Sequence, residues 1–142
     1  MRRAKVFAVI GAAIWALCSS YESVASEEKV GKALDAANQW LALIDGQKYG
    51  ESWETAAVYF KNAIGKEEWE QKLAAVREPL GKLVSRSLKS KTYTPSLPGA
   101  PDGEYVVIQF TTSFENKASG IETVTPMLDK DGIWRVSGYY IK

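Results

Sequence analysis

Gly132-Ile-Trp-Arg-Val-Ser-Gly-Tyr-Tyr-Ile-Lys142 decides how this chain is read. Alternation puts Trp134, Val136, Gly138 and Tyr140 on one face of an extended strand, and Ile133, Arg135, Ser137, Tyr139 and Ile141 on the other. Two faces rich in aromatics, entered through Asp131-Gly132, predict a central strand and not a solvated edge. The residues before it supply the rest of a sheet. Glu104 to Phe114 alternates, with Val106, Ile108, Phe110 and Phe114 pointing one way and Tyr105, Val107, Gln109 and Thr111 the other. Asn116 to Gly120 turns the chain into a strand from Ile121 to Leu128, and Asp129-Lys-Asp-Gly132 turns it back. That last turn mimics the start of a calcium loop but lacks the further acidic ligands and the closing Glu, so it reads as a hairpin turn. Leu83 to Tyr93, rich in Ser, Thr and Lys, reads as a long, partly solvated strand. After it, Thr94 to Gly103 carries three prolines and two glycines, which leaves a stiff surface loop.

Ahead of the sheet the period becomes helical. Val30, Leu34, Ala37, Leu41 and Ile44 form one face from Glu27 to Asp45, flanked by Trp40 and stopped by Gly46. A second helix is predicted from Ser52, which can cap it, to Ala63, with Trp53, Ala56, Ala57, Phe60 and Ile64 on its face. A third runs from Lys66 to Leu80 on Trp69, Leu73, Val76 and Leu80, with Pro79 removing a donor in its last turn. The expected fold is α+β: three N-terminal helices packed on a four-stranded antiparallel sheet, in a single domain of residues 27–142.

Residues 1–26 read as a signal peptide. Met-Arg-Arg-Ala-Lys5 is a basic head, Val6 to Cys18 a short apolar run, and Val24-Ala25-Ser26 the end a peptidase reads. The run is 13 residues, too short to span a bilayer comfortably, although retention as an anchor is the alternative. Leu17 before Cys18 is not the small residue that lipidation needs. Cleavage after Ser26 leaves 116 residues with no cysteine, hence no disulfide and no stable membrane span. It also removes Arg2, Arg3, Lys5 and Glu22, which takes the net charge from +1 to −1. The product is expected to be exported, to a periplasm or the exterior, and its charge gives no footprint for nucleic acid. Histidine is absent, which removes His-based acid/base work, Ser-His-Asp and Cys-His nucleophiles and the common zinc sites. No metal and no cofactor is expected.

Trp40, Asp45-Gly46, Tyr49, Trp53, Trp69, Arg77 and Pro79-Leu80-Gly81 resemble the pattern of the domain of unknown function 4019. So do Leu97-Pro-Gly-Ala-Pro-Asp-Gly-Glu-Tyr105, Glu122-Thr123 and the terminal strand. The resemblance covers essentially residues 27–142 and implies an uncharacterised family of exported bacterial proteins. More distantly, helices followed by a sheet ending in Gly-x-Trp-Arg-Val resemble the nuclear-transport-factor-2-like superfamily, which implies a curved, cone-like sheet whose mouth holds a small ligand. That likeness is of fold, and such folds host both enzymes and inert binding modules.

In a cone, inward polar and aromatic side chains become ligand-binding candidates: Tyr49, Trp53, Arg77, Tyr105, Glu122, Arg135 and Tyr139. Aromatic rings give apolar area with a polar tip, and an Arg clamps a carboxylate, which suits a small aromatic or anionic ligand. The competing reading is that most of them, and Trp134 above all, build the core. Arg77, next to Val76 and one turn after Leu73, either pairs with Glu122 across the helix–sheet interface or reaches a cavity. The expected function is a non-catalytic, exported binding module for a small molecule or protein segment at the sheet concavity, able to dimerise through its exposed sheet face. Two alternatives stand beside it: an isomerase or dehydratase using a carboxylate and a tyrosine, and a structural partner of envelope proteins.

Overall fold

A computed structural model describes residues 11–142, with side chains from residue 23 onward. The basic head and the first apolar residues of the expected signal peptide lie outside the described residues. Residues 11–26 continue the first helix, so α1 runs Gly11–Asp45 and not from Glu27. Among the described residues, no helix is long and apolar enough to cross a membrane.

The fold is α+β, with four α-helices where three were expected: α2 is Tyr49–Glu54, α3 Val58–Ala63 and α4 Lys66–Arg77. The expected second helix breaks at Thr55 to Ala57. There the Ala57 N–H leaves the helical ladder and donates to the Val136 carbonyl at 2.8 Å, while Ala56 and Ala57 are fully buried. A tertiary bond has overridden a continuous apolar face. Ser52 lies within α2, where its hydroxyl donates to the Tyr49 carbonyl and accepts from Trp69 Nε1 at 2.9 Å. Trp40 Nε1 donates to the Ser52 carbonyl at 2.8 Å, so one small buried residue satisfies two indoles. α4 ends at Arg77, three residues short of the expected Leu80, and Pro79 lies in a 3-10 turn from Glu78 to Leu80.

Four strands follow, β1 Leu83–Thr94, β2 Tyr105–Phe114, β3 Lys117–Leu128 and β4 Trp134–Ile141, in one antiparallel sheet of order β1-β2-β3-β4. The β2–β3 turn is Glu115-Asn116, tighter than the expected Asn116 to Gly120, because Phe114 already pairs with Lys117. The Pro/Gly segment is the β1–β2 loop, as expected.

The terminal strand is an edge, not a central strand. Its alternation also breaks. Thr125 pairs with Gly138 but Pro126 pairs with Val136, so Ser137 is an extra residue in β4. Pro126 has no N–H to offer the ladder, and the Ser137 hydroxyl instead donates to the Thr125 carbonyl at 2.7 Å. The bulge turns Tyr139 to the same face as Trp134 and Val136, opposite the alternation expected, and leaves Tyr140 exposed. All the helices lie on that face. Trp40, Phe60, Trp69, Phe110 and Trp134 fill the space between helices and sheet, with Trp40 packed edge-on to Tyr139 at 5.2 Å.

Candidate functional site

Where α1 and α4 end against β1, β2 and β3, six polar side chains form a buried cluster. Glu122 of β3 is fully buried and accepts from four donors: Arg86 Nε at 2.7 Å, Arg86 Nη2 at 3.2 Å, Thr112 Oγ1 at 2.6 Å and the Tyr139 hydroxyl. That uses the acceptor capacity of a carboxylate. Asp45, the last residue of α1, accepts from Arg86 at 2.7 and 3.0 Å and from Arg77 Nη2 at 3.2 Å. Arg86 therefore bridges the two acids. Burial works against its charge, but the bonds it donates to Asp45 and Glu122 more than offset this and hold its pKa above the ordinary value. Tyr139 is pushed the same way, first by burial and then by the charge of Glu122, so its phenol stays protonated.

Arg77 is built differently. It is 5% exposed, and its guanidinium carbon lies 4.7 Å from the centre of the Phe114 ring. Only Nη2 has a partner. Nε and Nη1 are buried without any, an arrangement that costs about 1–3 kcal/mol or more for a charged donor. Beside Arg77 lies a cavity of about 270 Å³, lined also by Asp45, Tyr49, Glu78, Lys82 and Glu115 and by the backbone turns at Gln47 and Gly81. Gln47 sits there in the left-handed region at φ 60°, at the position after the helix cap that glycine usually takes. The cap itself is closed by Gln47 N–H to the Ile44 carbonyl and Lys48 N–H to the Leu43 carbonyl. Gly81 is also left-handed, and a Cβ there would meet Glu115 Cβ at 3.0 Å. Tyr49 is raised by burial, while the charge of Arg77 opposes this and that of Glu78 adds to it. Arg77, Tyr49 and Glu78 thus converge on one space.

The sequence profile of one family, described as "Protein of unknown function (DUF4019)", matches residues 36–139. The match covers well over half of the chain. The chain belongs to the DUF4019 family. The matched span contains all six residues of the cluster and the residues lining the cavity. No curated protein matches the chain.

Within this DUF4019 domain the seven residues singled out from sequence separate into groups. Arg77 and Tyr49 share the cavity, and Glu122 and Tyr139 sit in the cluster that Arg77 joins through Asp45. Of the two readings of Arg77, the pair with Glu122 does not form: Arg77 takes Asp45, and Glu122 takes Arg86. Trp53 stays with the helices, its Nε1 donating to the Ile64 carbonyl at 2.8 Å. Tyr105 lies on the other sheet face beneath the Pro/Gly loop, its hydroxyl donating to the Pro101 carbonyl. Arg135 also leaves the helix-covered face and binds Asp129 and Asp131 of its own turn, at 3.0 and 2.8 Å. Sequence reasoning missed Arg86, Thr112 and the pairing role of Asp45. The only signal for Arg86 was an arginine among serines in β1, two residues from Leu88.

A second hollow of about 510 Å³ lies at the far end of the sheet, between α3, the Pro/Gly loop and the β3–β4 turn, lined by Val58, Tyr59, Pro101 and Met127. The loop is tied to α3 there by the Tyr59 hydroxyl, which donates to the Gly99 carbonyl at 3.2 Å. Among the described residues, no group of three or more His, Cys, Asp or Glu could hold a metal ion.

Proposed function

We propose that this DUF4019 protein is an exported, non-catalytic binding module whose ligand enters the cavity at Arg77, with the helix-and-sheet arrangement of the nuclear-transport-factor-2-like superfamily. One observation carries the reading: a buried arginine with two donors left open borders a cavity, whereas every other charge in the cluster is paired. A buried donor without a partner is rare and calls for an explanation, and a ligand that supplies the acceptor is the one we propose. The ligand does not enter mid-sheet, because aromatic side chains fill that space. It enters at one end, between the C-termini of α1 and α4 and the start of β1. The carboxylate–tyrosine pair of the enzymatic alternative exists in Glu122 and Tyr139, but Glu122 is fully buried and its lone pairs are engaged. A base must reach its substrate's proton, and this one does not.

Mass spectrometry of small molecules released from the natively purified protein tests the reading. A retained component that exchanges for buffer when Arg77 is changed to Met supports it, and protein that carries nothing in either form contradicts it. Export is tested by N-terminal analysis of the mature protein, which is expected to begin at Glu27. Cleavage there leaves Glu27 and Glu28 in the first turn of α1, the end where acidic residues stabilise a helix. Protein beginning at Met1 contradicts export by cleavage.

A further inference from the structure

β4 closes one side of the sheet, so its backbone groups that do not face β3 face outward. Lys142 spends both of its groups on Ile121, its N–H donating at 2.9 Å and its carbonyl accepting at 3.0 Å. In the same register Thr123 faces Tyr140 and Thr125 faces Gly138. Alternation therefore gives Gly138 and Tyr140 to β3 and turns the N–H and carbonyl of Tyr139 and Ile141 to the open side. Earlier in the strand the edge is covered, because the Val136 carbonyl accepts from the Ala57 N–H at 2.8 Å. Among the described residues, no strand covers it from Tyr139 to Ile141. Alongside is a hollow of about 190 Å³, with Trp69, Leu73 and Val76 of α4 on one side and Tyr139, Tyr140 and Ile141 on the other.

The two edges of the sheet are built differently. β1 carries the exposed Lys89 and Lys91 and two bulges, devices that keep an edge from pairing. Tyr139-Tyr140-Ile141 has no charge, proline or bulge. Tyr140 and Val76 beside it are 57% and 49% exposed.

We infer that this edge pairs with the same edge of a second copy of the chain, antiparallel about a two-fold axis at Tyr140. In that register Tyr139 faces Ile141 of the copy, and Ile141 faces the copy's Tyr139, so every outward N–H meets a carbonyl. Tyr140 meets its own copy as a close pair on the outer face, a cross-strand aromatic contact. On the inner face the copy's Ile141 comes beside Tyr139, at the hollow. Charge is compatible with a copy. The strip itself is neutral, and the flank of α4 carries Lys72 paired with Glu68 at 3.0 Å, so an antiparallel copy meets both signs and not a block of one. Area sets the strength. A stable dimer takes about 800 Å² from each copy, and this short strip supplies a fraction of that, so the expected Kd lies between about 10 µM and 1 mM.

Sedimentation equilibrium of the purified protein up to about 1 mM is expected to show monomer and dimer in exchange. Tyr140→Lys sets two cations at the axis, and Ile141→Pro removes an outward N–H without taking a bond from the sheet. Each is expected to weaken the dimer at least about tenfold with cooperative unfolding retained. Tyr140→Cys in a Cys18→Ser background tests the register. Facing residues of a close pair lie about 4.5 Å apart at Cα, within disulfide reach, so oxidation is expected to link two copies there but not through Ser87→Cys on β1. A protein that stays monomeric at the highest concentration overturns the inference. So does a dimer that survives Tyr140→Lys unchanged, which would put the contact on another surface, or one that links as readily through Ser87→Cys. A monomer that instead captures an extended peptide of unrelated sequence would give the edge to a different partner and overturn it as well.

Discussion

Arg86 of β1 holds Asp45 at 2.7 and 3.0 Å with its two terminal nitrogens while its Nε binds the fully buried Glu122 at 2.7 Å. One side chain thereby locks the end of the longest helix to an inner strand. Removing it leaves the fully buried Glu122 without a counter-charge and Asp45 with Arg77 alone. Arg86→Met is expected to destabilise the fold by about 3–5 kcal/mol, read by urea unfolding. Adding Glu122→Gln is expected to recover part of that loss, because the two sites share a bond network. Strict additivity of the two changes would show that they are not coupled.

Tyr139 donates to Glu122 from β4, so Tyr139→Phe leaves one carboxylate oxygen short of a donor. The expected cost is about 1–3 kcal/mol. The same tyrosine contributes to the alkaline limit. Its folded pKa is raised, so its contribution is complete below the ordinary tyrosine value of 10.0 and is lost as pH rises above it. Unfolding measured between pH 9 and about 11.5 should fall less steeply in Tyr139→Phe than in the parent protein. Parallel curves would assign the alkaline loss to other groups.

Acid acts at the opposite end of the sheet. Lys29 donates to Glu104 at 2.6 Å and holds its carboxyl below the ordinary value of 4.5, with Tyr93 helping and burial opposing. A depressed folded pKa gives stability that is present above 4.5 and lost as pH falls below it. The pair is partly exposed, so the effect is small and weakened by salt. Glu104→Gln should flatten the acid limb at low ionic strength and leave stability at pH 7 nearly unchanged; a large loss at pH 7 would contradict this.

The bulge at Ser137 makes a sharper prediction. Deleting Ser137 closes the bulge and leaves Pro126 opposite Val136 and Thr125 opposite Gly138, so Tyr139 keeps the face it shares with Trp40 and Glu122. The deletion should therefore preserve cooperative unfolding, and Ser137→Ala, which loses only the bond to Thr125, should cost about 1 kcal/mol. A deletion variant that loses its near-ultraviolet spectrum would refute this account of β4.

Much of the fold was legible in local pattern. The helical face of α1, the alternation of β2, the proline stop after α4 and the Asp129 to Gly132 turn all follow from periodicity and turn chemistry. What escaped depends on bonds between distant residues. The break before α3 exists because Ala57 donates to Val136, which no helical period encodes. The edge position of β4 follows from strand order, and its change of face from a single bulge opposite Pro126. Pro126 was the visible warning, since a proline inside an inner strand requires an irregularity. Trp40 was read as flanking its stripe yet is buried, because α1 packs on the other helices as well as the sheet. At the site, Arg77 and Tyr49 stood out as polar residues near apolar stripes. Arg86 did not, because bulges in β1 between Leu83 and Ser85 and between Leu88 and Ser90 hide which face it takes.

The central claim is that the Arg77 cavity, and not another hollow, receives the ligand. Mapping backbone amide shifts of the ¹⁵N-labelled protein against a library of small aromatic and aliphatic compounds tests this most directly. The account predicts perturbations concentrated at Gln47, Tyr49, Gly81 and Lys82 and abolished by Arg77→Met in a protein that remains folded. Perturbations centred instead on Val58, Tyr59 and Met127, or on no contiguous surface at all, would contradict it.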